Sequence, residues 1–86
     1  MAKYRLEIKR SAAKELEALP PKDRTRVVAR IQALAADPRP VGVEKLSDQE
    51  RYRVRQGNYR ILYEIHDEVL LVVVVKLGNR RDIYRK

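Results

Sequence analysis

Two stretches of the chain hold its whole charge excess. Residues 51–60 (RYRVRQGNYR) carry four arginines and no acid, and residues 76–86 (KLGNRRDIYRK) carry five basic groups against one aspartate. Each is +4, which together equals the formal net charge of +8. Tyr52, Tyr59 and Tyr84 are interleaved with these cations. Guanidinium groups grip phosphate through paired N–H bonds, and aromatic rings stack on unpaired bases. Such a combination suits nucleic acid, and single-stranded RNA most of all. Charge alone would also suit an acidic protein or a membrane surface.

The spacing narrows the candidates. Arg53 and Arg55 stand two apart in a segment that alternates like a strand, so both project from one face, about 7 Å apart by strand rise. That separation approximates the step between successive phosphates of an extended strand. Arg60 falls across the next turn, where pairing of neighbouring strands sets it opposite them. Arg80 and Arg81 follow the last apolar run. Arg51, Lys76 and Arg85 complete the phosphate-binding set, and Tyr84 is placed either to stack on a base or to anchor the C-terminal tail. Clustered cations repel one another, so a purely structural chain has little reason to collect them. The competing interpretation is a solvated polar face. Glu64 is a general base by type alone, and His66, in an expected turn, reads as surface.

At 86 residues the chain is one domain spanning 1–86. It has no cysteine and one histidine, so thiolate metal sites are excluded and a catalytic zinc is disfavoured. No cofactor is expected. MAKYRLEIKR lacks the apolar stretch of a signal peptide, and the run Val69–Val75 is too short to span a bilayer. A soluble cytoplasmic protein is the expectation, with no membrane partner.

The elements that must position these residues are legible. Tyr4 to Lys9 alternates as a strand. Ser11 is placed to cap a short helix with Ala12, Leu16 and Leu19 on its apolar face, ended by Pro20-Pro21. A second helix, Lys22 to Ala36, carries the stripe Val27, Val28, Ile31, Leu34 and Ala35, and Asp37-Pro38-Arg39-Pro40 ends it. Three strands follow: Arg51–Arg55, Tyr59–Ile65 and Val69–Val75. Turns are expected at Gln56-Gly57-Asn58 and His66-Asp67-Glu68, with Gly78 breaking the last strand. Tyr52, Tyr59 and Tyr63 fall on the inward-facing pattern. The uniformly apolar Val69–Val75 reads as a strand buried on both faces. The order β-α-α-β-β-β predicts an α+β fold: a small twisted, mostly antiparallel sheet packed against an N-terminal helical hairpin.

The chain resembles the RelE/ParE toxin superfamily, and specifically its RelE branch. The segments that carry the resemblance are Gly57-Asn58-Tyr59-Arg60-Ile61-Leu62-Tyr63 and Gly78-Asn79-Arg80-Arg81-Asp82-Ile83-Tyr84. The opening strand, the AAKELEALP helix, the helix closing on DPRP and VEKLSDQERYRVR extend it over essentially the whole chain. The resemblance implies a RelE-like fold and a ribosome-dependent endoribonuclease that cuts mRNA in the ribosomal A site. It also implies a cognate antitoxin, with operator DNA bound only through the antitoxin complex. The family's strand cations fall on Arg53 and Arg55, its hairpin arginine on Arg60, its arginine after the last strand on Arg80, and its C-terminal tyrosine on Tyr84. Two departures are visible. Arginines replace the lysines some relatives carry at 53 and 55, and Asn79 stands where several have a histidine. Arginine, with a pKa above about 12, is a poor general base. The alternatives are a ParE-like inhibitor of DNA gyrase and a non-catalytic RNA-binding module.

Overall fold

The computed structural model describes residues 3–46 and 51–79. Strand β1 (Arg5–Ile8) leads into helix α1 (Arg10–Glu17) and helix α2 (Pro21–Ala36), followed by β2 (Glu44–Leu46), β3 (Arg51–Gln56), β4 (Tyr59–His66) and β5 (Leu71–Asn79). These form a five-stranded sheet in the order β1-β5-β4-β3-β2, with β1 parallel to β5 and every other pair antiparallel. The α+β architecture read from the sequence is therefore present, with one strand more. That strand, β2, is the charged tripeptide Glu44-Lys45-Leu46, too short to show a period and typical of a protected sheet edge. No helix among the described residues is long and apolar enough to cross a membrane.

The helices start where backbone bonding dictates. Ser11 does not cap α1, because the strand hands over to the helix at Lys9. The Lys9 N–H donates to Val74 O at 2.9 Å as the last rung beside β5, while Lys9 O accepts the Ala13 N–H at 2.9 Å. Lys9 is thus the N-cap, without a side-chain cap, and Ser11 lies inside the first turn. Helix α2 opens on Pro21, which has no N–H to leave unpaired. Its Val27, Ile31, Leu34 and Ala35 are buried as the helical stripe requires.

Strand β5 departs from expectation at both ends. Val69 and Leu70 are exposed, in a short 3-10 turn (Asp67–Val69) closed by Leu70 in the left-handed region at φ 52°. Gly78 does not break the strand, since it pairs with Arg60, and Asn79 pairs with Tyr59. Between them the register shifts: Tyr63 faces Val74, but Leu62 faces Lys76, leaving Val75 as the extra residue of a bulge. In strict alternation from Val74, Lys76 would enter the core and Leu77 would leave it. The bulge reverses this, so Leu77 is fully buried and Lys76 exposed. The burial expected on both faces holds for Val72, Val73 and Val74.

The helices cover one face. Ala12, Val27, Ile31 and Leu34 pack with Tyr52, Val54, Ile61, Tyr63, Ile65, Val72, Val74 and Leu77 in one cluster. Tyr52 and Tyr63 stack with ring centres 5.9 Å apart, and the Tyr63 hydroxyl donates to Pro38 O at 2.6 Å. Outside the core, Arg39 grips Asp67 with both Nη atoms (3.2 and 2.9 Å), and the Tyr4 hydroxyl donates to Asp67 Oδ1 at 2.6 Å. This clasp joins the chain before β1, the loop after α2 and the β4–β5 turn. The Arg39 and Tyr4 hydrogen bonds hold the Asp67 carboxyl down at about 2.

Candidate nucleic-acid interface

Cross-strand partners project from the same face of a sheet. Tyr52–Tyr63 and Val54–Ile61 face the helices, so the alternate pairs Arg51–Glu64, Arg53–Leu62 and Arg55–Arg60 face away from them. Arg60 is also the partner of Gly78, and Glu44 of β2 is the partner of Arg53. Four of the cations chosen from sequence, Arg51, Arg53, Arg55 and Arg60, are therefore gathered on one open face. The hairpin that aligns them is a two-residue loop, Gly57-Asn58, with Gly57 at φ +60° as a II′ turn requires of its first position.

The separation of arginines from acids along the sequence does not survive folding. Arg51 Nε donates to Glu64 Oε2 at 3.1 Å, and Glu64 Oε1 lies 3.1 Å from His66 Nε2. Arg53 donates to Glu44 Oε1 through Nε (3.0 Å) and Nη2 (2.8 Å). Strand register brings each acid to its arginine, and no linear distance in the chain reveals it. Burial pushes the Glu64 carboxyl up, but bonding from His66 and Arg51 outweighs it and the net direction is down. Arg53, through hydrogen bonding and then charge, likewise holds Glu44 below the usual carboxylate range. Both are ionised acceptors at neutral pH, and the bond from Arg51 that lowers the Glu64 pKa makes it a weaker base.

Arg55 and Arg60 differ from the other two. They are direct cross-strand partners, a like-charge juxtaposition that destabilises a sheet. Arg55 is exposed, whereas Arg60 retains 5% of its surface and is the buried charged residue of the described chain. Arg60 sits between Arg55 and the side-chain-free Gly78. An anion at this spot would offset the repulsion of two guanidiniums at once.

The remaining sequence candidates divide. Lys76 reaches Glu15 Oε2 at 3.5 Å, at the α1 border of the sheet. Tyr52 and Tyr63 are core residues as expected, and Tyr59 packs against the core while its hydroxyl donates to Asp23 at 2.8 Å. Arg80, Arg81, Tyr84 and Arg85 lie outside the described residues. Sequence reasoning passed over Glu44, one of three acids in an aperiodic stretch, and over the Arg39–Asp67 clasp, which joins residues 28 positions apart.

The family described as ParE toxin of type II toxin-antitoxin system matches residues 6–84. The chain is 33% identical over 85 residues to "Toxin RelG" of Mycobacterium tuberculosis, covering 96% of this chain and 98% of that one. The fold superposes on the crystal structure of the RelBE2 toxin-antitoxin complex from M. tuberculosis with a TM-score of 0.82 and 29% identity, over 93% of this chain and 94% of that chain. The archaeal RelE-RelB complex from Pyrococcus horikoshii OT3 gives the same TM-score of 0.82 and 29% identity, over 93% and 97%. A ParE-described family and RelE-named relatives meet in one superfamily. With its helical hairpin, its arginine-bearing open sheet and these full-length matches, the chain belongs to the RelE/ParE superfamily of type II toxins.

Proposed function

We infer that the chain is a ribosome-dependent mRNA endoribonuclease, restrained by a cognate antitoxin and active in the ribosomal A site. The observation that carries this is the facing pair Arg55–Arg60 on the open sheet, flanked by Arg53 and by strand β5, which Arg80 follows in the sequence. In the reaction the RNA 2′-hydroxyl attacks its own phosphate, giving a 2′,3′-cyclic phosphate and a 5′-hydroxyl product. That displacement needs a proton acceptor for the 2′-OH, cations on the phosphorane and a donor for the leaving oxygen. Arg55 and Arg60 neutralise the phosphorane, and Arg53 holds a neighbouring phosphate. Arg80 serves the leaving oxygen and Tyr84 orients the nucleotide. Glu44 and Glu64, as ionised partners of arginines, are committed elsewhere. Proton removal then falls to Tyr84 or to ribosomal RNA, in keeping with a nuclease that works only on the ribosome. Antitoxin partnership rests on the toxin-antitoxin complexes among the solved relatives.

Primer extension on a defined mRNA, with and without programmed ribosomes, tests the proposal. Cuts confined to the A-site codon and dependent on ribosomes are the expected result. The match to the ParE toxin family keeps the alternative that the sequence resemblance implies, inhibition of DNA gyrase. A supercoiling assay that responds to the protein, with no RNA cut in either condition, would select it. RNA binding without either activity would leave a non-catalytic module.

Glu44 offers a second check on the same face. Its carboxylate occupies Arg53 at 2.8 Å in the position a phosphate oxygen would take. Glu44→Gln is expected to raise affinity for single-stranded RNA several-fold at low salt. It should also steepen the salt dependence by about 0.7 in slope, the increment for one further phosphate contact.

A further inference from the structure

The geometry points to a second phosphate subsite, formed by Arg30 and Arg55, that takes a backbone phosphodiester of RNA around the edge of the sheet from Arg60. This rests on the RNA-directed reading above and extends it to a contact on helix α2.

Strand β2 covers β3 only from Arg51 to Arg53. Beyond Arg53 this side of β3 has no neighbouring strand among the described residues, and a cleft of about 380 Å³ opens there, lined by Arg30, Gly42, Glu44, Val54 and Arg55. Arg30 comes from α2 and Arg55 from β3, so two basic residues from different layers line one space. Among the described residues neither forms an ion pair. The Glu44 carboxylate, the acid at this cleft, is held by Arg53.

Arg30 is the more informative of the two. Its Nε is buried and has no hydrogen-bond partner. A buried N–H donor of a charged group without an acceptor is costly, and native structures rarely tolerate one without a reason. A shift of the Arg30 side chain that turns this N–H toward the cleft would let a phosphate oxygen accept from Arg30 and from Arg55 together. Arg55, exposed at the lip, would then serve both the open face and the cleft, which gives an extended strand a continuous path: Arg53 and Arg60 on the face, Arg55 at the edge, Arg30 beyond it. A solvated polar helix face does not explain a guanidinium whose Nε is withdrawn from water. An acidic protein segment would meet the same charges, but the cleft's continuity with Arg55 and Arg60 favours the strand they bind.

The test compares wild type, Arg30→Gln and Arg30→Lys in binding a dinucleotide and an oligoribonucleotide of about eight residues, a length within the usual single-strand site size. Both variants are checked for an unchanged melting temperature, and Arg30→Lys substitutes for Arg30→Gln if the latter fails to fold. Loss of one charge-assisted contact is expected to weaken octamer binding roughly tenfold and to lower the salt slope by about 0.7, leaving the dinucleotide unaffected. Arg30→Lys should keep the slope and lose part of the affinity. A parallel arm measures binding to vacant ribosomes. A deficit there alone would assign the phosphate to ribosomal RNA and still support the subsite. Equal affinity and slope in both arms, or a deficit only toward an acidic protein, would overturn it. Failure of wild type to bind either RNA would instead remove the RNA-directed reading itself.

Discussion

Arg60→Met is expected to lower the rate of ribosome-dependent cleavage by about 10²–10³-fold, the cost of deleting one preorganised charge aimed at a transition state. Methionine keeps the apolar stem that a largely buried arginine contributes to packing and removes only the guanidinium. The same change relieves the juxtaposition with Arg55 but also deletes the attraction of the Arg60 charge for Glu44, so the melting temperature should move far less than the activity. That dissociation is the signature of a cation retained for chemistry at some cost to the fold. Arg60→Lys keeps a charge without the bidentate fork and should fall between. The measurement is single-turnover cleavage on programmed ribosomes beside a thermal melt. Full activity in Arg60→Met would move the reaction centre away from the Arg55–Arg60 pair. Activity lost together with cooperative folding would make Arg60 a structural residue.

The residues that sequence reading placed well share a local cause. The Arg53 and Arg55 alternation, the Val27–Ile31–Leu34 stripe and the Gly57-Asn58 hairpin each depend on a period or a turn within a few residues, and each appears as expected. Failures have longer reach. Strand β2 has no period of its own and exists because Arg53 and Tyr52 offer it a ladder. The uniformly apolar Val69–Val75 hid both its true start at Leu71 and the bulge at Val75, since a run without alternation carries no register. At the candidate interface, the arginines were visible as a charge cluster but their acids were not. Glu64 is 13 residues from Arg51 and Glu44 is nine from Arg53, and only strand pairing makes them neighbours. Net charge by segment therefore overstated how many cations are available. Arg55 and Arg60 differ from Arg51 and Arg53 through register, a property no composition expresses. Arg30 lies off the apolar stripe of its helix, and only the cleft that the short β2 leaves beside it sets it apart.

Tyr63→Ala should remove a large share of the stability of the domain, and the reasons can be separated by a second variant. The ring is fully buried at the centre of β4, stacked on Tyr52. Truncating a buried aromatic residue to alanine costs about 3–5 kcal/mol. An 86-residue chain holds on the order of 4–13 kcal/mol in total, at about 0.05–0.15 per residue. Tyr63→Phe keeps the ring and deletes only the hydroxyl, leaving Pro38 O without its 2.6 Å donor where the chain leaves α2. An unsatisfied buried acceptor costs about 1–3 kcal/mol, so Tyr63→Phe should lie clearly between wild type and Tyr63→Ala in denaturant midpoint. The hydroxyl also sets an alkaline limit. Burial raises the Tyr63 phenol well above its ordinary value of 10.0. A group whose folded pKa is raised contributes stability that is complete below the unfolded value and is lost as pH climbs toward the folded one. Wild type should therefore begin to lose stability above about pH 10, as the unfolded chain ionises first. Tyr63→Phe should start lower but decline less steeply, because phenylalanine has no proton to release. Denaturant midpoints across the alkaline range measure both effects. Parallel slopes for the two proteins would show that Tyr63 is not the group that links folding to base.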